Sequence, residues 1–509
     1  MRKLPIGIQT FSEIREEEYR YVDKTKIAFE LINNGKYYFL SRPRRFGKSL
    51  FLSTLQAIFE GRKDLFHNLY IHDAWDWQTT YPVVKISFAG VARNVAAMQQ
   101  DIRNILKDNQ ERLNIDCLHE EDTGGCLREL IRKSCEKYQQ KVVILVDEYD
   151  KLILDNLDQM EVAREAREIL KDLYTIIKDC DEYIKFAFFT GVSKFAKVSV
   201  FSGLNNLSDI SLDSRYATIC GYTQDDLATV FADLLQDADM DRVRDWYNGY
   251  NFLGEKVYNP FDILLFLDKG LVFNNYWFAT GTPTFLLKLI QQNNYFLPRL
   301  SDLRVDSSLL DGFDIDHIRL ESILFQAGYL TIKEVHELEF GGFEYTLHYP
   351  NREVALSFND ALIRFLTDAT TYTSTKTGLF SALKSGDVEA LKDVLISLFA
   401  SIPYNNYVKN TLAEYEGYYA SVIYAYLASL GIRIIAEDVT NTGRIDLTLF
   451  LSDNIYIVEF KVDGNADPLE QIKERKYAQK YTGQGTVYLV GILFSSTKKN
   501  IAAFSWERV

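Results

Sequence analysis

Proline and glycine are scarce in this chain, nine and 27 of 509 residues. With 47% hydrophobic and 25% charged residues, that scarcity argues against extended disorder. No internal repeat and no low-complexity tract is visible, which excludes solenoids and propellers. No run approaches the ~18 uninterrupted apolar residues of a membrane span. The N-terminus, MRKLPIGIQTFSEIREEEYRYVDKT, lacks the apolar core of a signal peptide. A soluble, cytoplasmic protein without a membrane partner is therefore expected. Cysteine is sparse too: Cys117, Cys126, Cys135, Cys180 and Cys220 form no CxxC pair, and their wide spacing is weak evidence for a metal site. They are expected to be reduced, structural thiols. Excess positive charge is also missing. The net charge of −14 excludes a general binder of phosphate backbones, so any nucleic-acid contact must be local. Residues 405–509 hold 11 basic and 12 acidic residues, so the acidity lies upstream.

What is present is an ordered alternation. Strand-like runs KYYFL (36–40), YPVVKISFAG (81–90), KVVILVDEYD (141–150) and IKFAFFTGV (184–192) are separated by helix-like runs, one of them SLFLSTLQAIFEG (49–61). Apolar strands separated by helices imply a parallel sheet covered on both faces, assigned here to residues 1–220. Residues 221–404 read as mainly helical. Within them, 321–358 runs helix, strand, Gly-Gly turn, strand, an order that resembles a winged helix. Such a segment could bind DNA or protein, or serve as a spacer, and the spacer role is favoured. Residues 405–509 read as helix, strand, strand, helix (469–481) and strand, a compact α/β unit.

The stretch LSRPRRFGKSL (40–50) joins the first strand to the first long helix. A phosphate loop works because successive backbone N–H groups converge on an anion at a helix N-terminus. Gly47 allows close approach, Lys48 adds charge, and the Ser49 hydroxyl is a Mg²⁺ ligand candidate. Arg42 stands where such loops usually begin with glycine, and Pro43 removes one donor. Arg44 and Arg45 are further cations without an assigned target. The strand VVILVD delivers Asp147, a Mg²⁺-binding candidate, followed by Glu148, a candidate for polarising the attacking water. Thr190 ends the next strand, where it could sense a γ-phosphate or form a turn before Gly191.

The last 105 residues suggest a second chemistry. Phosphodiester cleavage needs carboxylates around Mg²⁺ and a cation near the attacking water. GRIDLTL presents Asp446, and IYIVEFKV presents Glu459 and Lys461 on one strand face. Asp446 on the neighbouring strand can reach the same metal, and Glu416 on the preceding helix can approach it. A surface ion pair is the competing reading of Glu459 and Lys461.

The ordered motifs YRYVDKT, FLSRPRRFGKSLFLSTL, VILVDEYDKLI, FFTGVSKF, FSGLNNLSDISLDSRYATICGYT, WYNGY and YWFATGTPTFLL span nearly the whole chain. Together they resemble the bacterial AAA-ATPase-like family, which commonly carries a PD-(D/E)XK nuclease-superfamily domain at its C-terminus. The resemblance implies a P-loop NTPase domain, a helical middle with a winged-helix-like segment, and a restriction-endonuclease-like α/β domain. In that family RPRRFGKS is itself the phosphate loop. The resemblance implies that Gly47, Lys48, Ser49 and Asp147 bind ATP and Mg²⁺, with Glu148 beside them. Arg215 is implied as a phosphate-sensing or finger arginine, against a plain ion pair. In the last domain it implies Asp446 and Glu459 as metal ligands, for Mg²⁺ or Mn²⁺, and Lys461 for water or phosphate. Glu416 and Gln471 support them, while Tyr477 is read as packing. Ile445 stands where the superfamily's name has proline. The expected function is an ATPase coupled to a nuclease acting on DNA or RNA, with oligomerisation open. The alternatives are an ATP-dependent switch that binds nucleic acid or protein without cutting, and a scaffold with vestigial sites.

Overall fold

The computed structural model describes residues 2–88, 90, 92–194, 200–201, 204, 206–278, 284–292, 295–310, 312, 315–317, 319–366, 372–402, 416–464 and 467–509. The chain divides into two compact units. One contains Met1–Trp277 and Arg304–Asn351; the other contains Phe278–Leu303 and Arg352–Val509.

The first unit is built on five parallel strands: β1 (Tyr37–Ser41), β2 (Val83–Ser87), β3 (Val142–Asp147), β4 (Ile184–Gly191) and β5 (Ser208–Asp209). Their order is β2-β3-β4-β1-β5. Strand β3 is buried at every residue, as a β-branched apolar run in a covered parallel sheet should be. Helix Met160–Asp179 buries Ala163, Ala166, Leu170, Leu173, Tyr174 and Ile177, one face at helical spacing. Each fully buried Leu or Ile contributes roughly 1.5–3 kcal/mol to such a core. Crossovers from β1 to β2 and from β4 to β5 run in opposite directions from the sheet centre, opening a crevice at the strand carboxyl ends. The phosphate-loop candidate leaves β1 at that edge and enters helix Lys48–Phe59.

Also in this unit, helix Leu320–Gln326 leads to the antiparallel hairpin β7 (Thr331–Glu337) and β8 (Phe343–His348). β6 (Leu303–Asp306) joins them in the order β6-β8-β7. The hairpin turns at Gly341 and Gly342, with φ of +91° and +89°, a conformation that favours glycine. The helix–hairpin order anticipated from the sequence is therefore present.

The second unit carries a mixed sheet: β9 (Arg433–Val439), β10 (Arg444–Leu451), β11 (Asn454–Val462), β12 (Thr486–Ser495) and β13 (Asn500–Arg508), in the order β13-β12-β11-β10-β9. Only β11 and β12 run parallel. Their crossover carries helix Pro468–Glu474, whose Leu469 and Ile472 pack with Ile445, Ile457 and Leu489. The single helix expected over 469–481 ends early. Lys476 takes a φ of +53°, and a 3₁₀ turn follows over Tyr477–Tyr481. The edge strands β9 and β13 were not read from the sequence, because half-exposed edges lack the apolar density of β11 and β12.

One expectation is corrected. Cys117 and Cys126 form a disulfide, with Cα atoms 5.2 Å apart. Cys117 lies in the connection after helix Val95–Leu113, and Cys126 lies in the first turn of helix Thr123–Tyr138. The return of the chain brings them within bridging range, which spacing alone did not reveal. Cys135, Cys180 and Cys220 are free. Among the described residues no helix is long and apolar enough to cross a membrane. Alkylation of the denatured, unreduced protein is expected to label three thiols and, after reduction, five. Five labelled without reductant, counted by intact mass, would show the bridge absent.

Candidate functional site

The loop after β1 has positive φ at Arg45 (+67°) and Gly47 (+92°), not at Arg42. A side chain is thus compatible with position 42, and here it is an anchor. The buried Arg42 guanidinium donates to the carbonyls of Ser41 (2.9 Å), Ser211 (2.7 Å) and Tyr216 (3.2 Å). It also lies 3.7 Å from the centre of the Phe252 ring. Burial pushes its pKa down to about 10. Arg45 stacks toward Phe261, 5.0 Å from the ring centre, and the Arg44 carbonyl accepts from Trp277 Nε1 at 3.0 Å. Two of the three arginines are therefore held by aromatic rings and backbone.

Lys48 is buried, and its Nζ donates to the carbonyls of Arg42 (2.9 Å) and Pro43 (3.0 Å). Burial lowers its pKa, while the charges of Asp147, Asp150 and Glu148 act to raise it. The lysine and the acids after β3 thus share one pocket. Ser49 is half-buried in the first turn of helix Lys48–Phe59. Among the described residues, the N–H groups of residues 44–50 have no hydrogen-bond acceptor. A helix start leaves four such donors, and this loop adds three more.

Asp147 is 5% exposed and accepts the Thr190 hydroxyl at 2.7 Å. Thr190 is fully buried, so its hydroxyl orients the aspartate. Glu148 has a φ of +52°, and its carboxyl pKa is raised by burial first and by Asp147 second. Arg215 is not brought to the loop. Its mainly exposed side chain pairs with Asp213 at 2.6 Å. Asp150, which sequence reasoning missed, is buried and accepts the Ser193 N–H (2.6 Å), the Val192 N–H (3.1 Å) and the Ser193 hydroxyl. The acidic run DEYD was the only signal for it.

In the second unit the β10–β11 ladder runs up to the pair Leu447–Val458. One step on, Asp446 and Glu459 come alongside. Asp446 Oδ2 accepts the Phe460 N–H at 2.8 Å. Glu459 Oε2 accepts from Gln471 Nε2 at 2.9 Å. Gly491, opposite Glu459 on β12, makes this last contact possible. A Cβ there would lie 2.5 Å from the Leu469 nitrogen, so glycine lets the helix bearing Gln471 close on the sheet. Burial first, then the Asp446 charge, pushes the Glu459 carboxyl well up. Burial also raises Asp446, and the Lys461 charge lowers both. Tyr477 is buried, and its hydroxyl donates to the Arg444 carbonyl at 3.1 Å, a packing role. Glu416 opens helix Glu416–Ser429, but its side chain lies outside the described residues.

These donors suit a hard divalent cation. Glu459 Oε1 is buried with no hydrogen-bond partner among the described residues, and two carboxylates crowd one spot. Among the described residues no group of three or more metal-ligating side chains gathers, so solvent or substrate oxygens would complete the shell.

A loop of free N–H groups with a lysine on a parallel sheet, and a carboxylate pair beside a lysine on a mixed sheet, define a P-loop-type protein fused to a nuclease-type domain. The comparisons agree. Residues 5–201 match the family described as "Predicted AAA-ATPase", and residues 414–504 match the "PD-(D/E)XK nuclease superfamily". An "Uncharacterized protein in vnfD 5'region" from Azotobacter chroococcum mcd 1 is 47% identical over 513 residues, covering 99% of each chain. No solved structure matches. The chain belongs to the bacterial AAA-ATPase-like family that carries a C-terminal PD-(D/E)XK nuclease-superfamily domain.

The Glu459 shift has a consequence for stability. Above the ordinary carboxyl pKa of about 4.3, the folded state keeps a proton that the unfolded chain releases, so stability falls as pH rises from there toward the raised value. Glu459→Gln removes that loss. It is expected to stabilise the second unit at pH 8 relative to pH 5, by at least about 1 kcal/mol, in metal-free thermal melts. A variant less stable than wild type at pH 8 would mean that Glu459 is ionised and paired instead.

Proposed function

We propose that this protein hydrolyses ATP at the β1 loop and uses Mg²⁺ at Asp446 and Glu459 to cleave phosphodiester bonds in DNA or RNA. The observation that carries the first half is the row of seven free N–H groups at residues 44–50, beside Lys48. An anion with several phosphates is the ligand such a row suits. A mostly apolar cleft reaches the same loop, lined by Tyr21, Val22, Gly47, Leu50, Tyr222 and Pro260. In this reading Lys48 leaves the Arg42 and Pro43 carbonyls to contact the β- and γ-phosphates. Ser49 and Asp147 would hold Mg²⁺, which neutralises charge developing on the phosphoryl oxygens. Glu148, with its raised pKa, would orient water and accept its proton.

At the second site, Asp446 and Glu459 would hold the metal and Gln471 would fix Glu459. Mg²⁺ or Mn²⁺ there would polarise the scissile phosphate and a water. Lys461, two residues from Glu459 on the same strand face, would stabilise the charge that builds on the phosphate. The crowding of Asp446 and Glu459 supports this half, since a bound cation relieves their repulsion.

Lys48→Ala is expected to reduce ATP turnover about 100-fold, and Lys461→Ala to reduce DNA or RNA cleavage about 100-fold while leaving ATP turnover unchanged. Phosphate release and gel-based cleavage with Mg²⁺ or Mn²⁺ read the two separately. ATP affinity without turnover, and no cutting of any nucleic acid, would favour a non-catalytic switch.

A further inference from the structure

The phosphate-loop candidate has a second boundary, at Pro43. The turn before β7 presses on it. Gly328 has a φ of +90°, and a Cβ there would lie 2.7 Å from Cβ and Cγ of Pro43. Only glycine lets the turn sit on that proline ring. Beside it, Tyr329 packs on Trp277 (ring centroids 5.5 Å apart), Trp277 donates to the Arg44 carbonyl, and Tyr250 meets Phe46 edge-on at 4.7 Å.

Two residues before Gly328, Gln326 ends helix Leu320–Gln326 and is 6% exposed. Its Oε1 accepts the Lys194 N–H at 2.8 Å, and its Nε2 faces the Lys194 carbonyl at 3.5 Å. Lys194 ends the turn 192–194 that follows β4. That turn contacts the segments that flank the nucleotide site. Asp150 accepts the Val192 and Ser193 N–H groups, and the Tyr149 hydroxyl donates to the Ser193 carbonyl at 3.2 Å. Ser41 Oγ donates to the Val192 carbonyl at 2.6 Å, and the Arg42 N–H donates to the Gly191 carbonyl at 3.2 Å. The turn therefore ties the end of β1, the acids after β3 and the end of β4 together. Gln326 fixes it from the winged-helix side.

We propose that Gln326 and Gly328 are positioning residues of the nucleotide site, through which the winged-helix-like segment sets the loop and the turn 192–194. The proposal rests on the reading of the loop as an ATP site. Lys48 holds the Arg42 and Pro43 carbonyls. When phosphate draws that ammonium away, Pro43 loses a restraint on one side and keeps Gly328 on the other. Nucleotide occupancy is thereby transmitted to the start of β7, and the alignment of Asp147 and Glu148 depends on Gln326.

The test uses the full-length chain. Binding of a fluorescent ATP analogue by wild type is measured first. Its absence overturns the ATP reading, and the proposal with it. Given binding, Gln326→Met keeps the volume and loses the acceptor. It is expected to lower kcat about tenfold or more, with ATP affinity within about threefold and the melting temperature nearly unchanged. Gln326→Glu keeps the acceptor for the Lys194 N–H and should recover most of that loss. Hydrogen exchange at residues 326–332 should change on adding ATP, and Gly328→Ala should abolish that response. Unchanged kcat in a folded Gln326→Met, failure of Gln326→Glu to rescue, or ATP-insensitive exchange in a wild type that binds ATP would each overturn the proposal.

Discussion

A buried ammonium has to be satisfied, and the first unit is organised around that need. Desolvating a lysine costs several kcal/mol unless acceptors replace water. Lys48 finds two carbonyls of its own loop and the field of three carboxylates after β3. Those acids are in turn pinned: Asp147 by Thr190, and Asp150 by the turn after β4. The parallel strand order places β4 between β1 and β3, so the contacts of Asp147 and Asp150 lie at the carboxyl edge of the sheet that also carries the loop. The resting arrangement keeps the lysine amine bonded within its own loop while the loop N–H groups have no acceptor among the described residues.

The same economy explains an arginine where phosphate loops usually begin with glycine. Position 42 does not adopt positive φ, so glycine's freedom is not required there. The guanidinium instead bonds three carbonyls and lies on the Phe252 ring. Five donors in a planar fork can bridge several backbone segments at once, which a lysine could not do. Loop entry is anchored by these contacts, and the left-handed positions come later, at Arg45 and Gly47.

The second unit follows the opposite logic of charge. Two carboxylates are brought together where the β10–β11 ladder gives way to a side-chain contact, and Glu459 keeps one oxygen unpartnered. Gly491 sacrifices a side chain to let Gln471 reach Glu459, so part of the packing of this sheet serves the orientation of one carboxylate.

By itself the sequence determined the elements and the chemistry carried on them. Long apolar strands such as VVILVD, the loop GKS at a helix start, and Glu459 two residues from Lys461 are local patterns, set by strand and helix periodicity. The edge strands β9 and β13 escaped because edges carry little apolar signal. The Cys117–Cys126 bridge, the Thr190 contact with Asp147, the pairing of Arg215 with Asp213, and the roles of Asp150, Arg42 and Gly491 were decided only by tertiary structure. Each of those depends on which distant segment arrives at a given atom. Burial and hydrogen-bond satisfaction, unlike periodicity, belong to the folded whole.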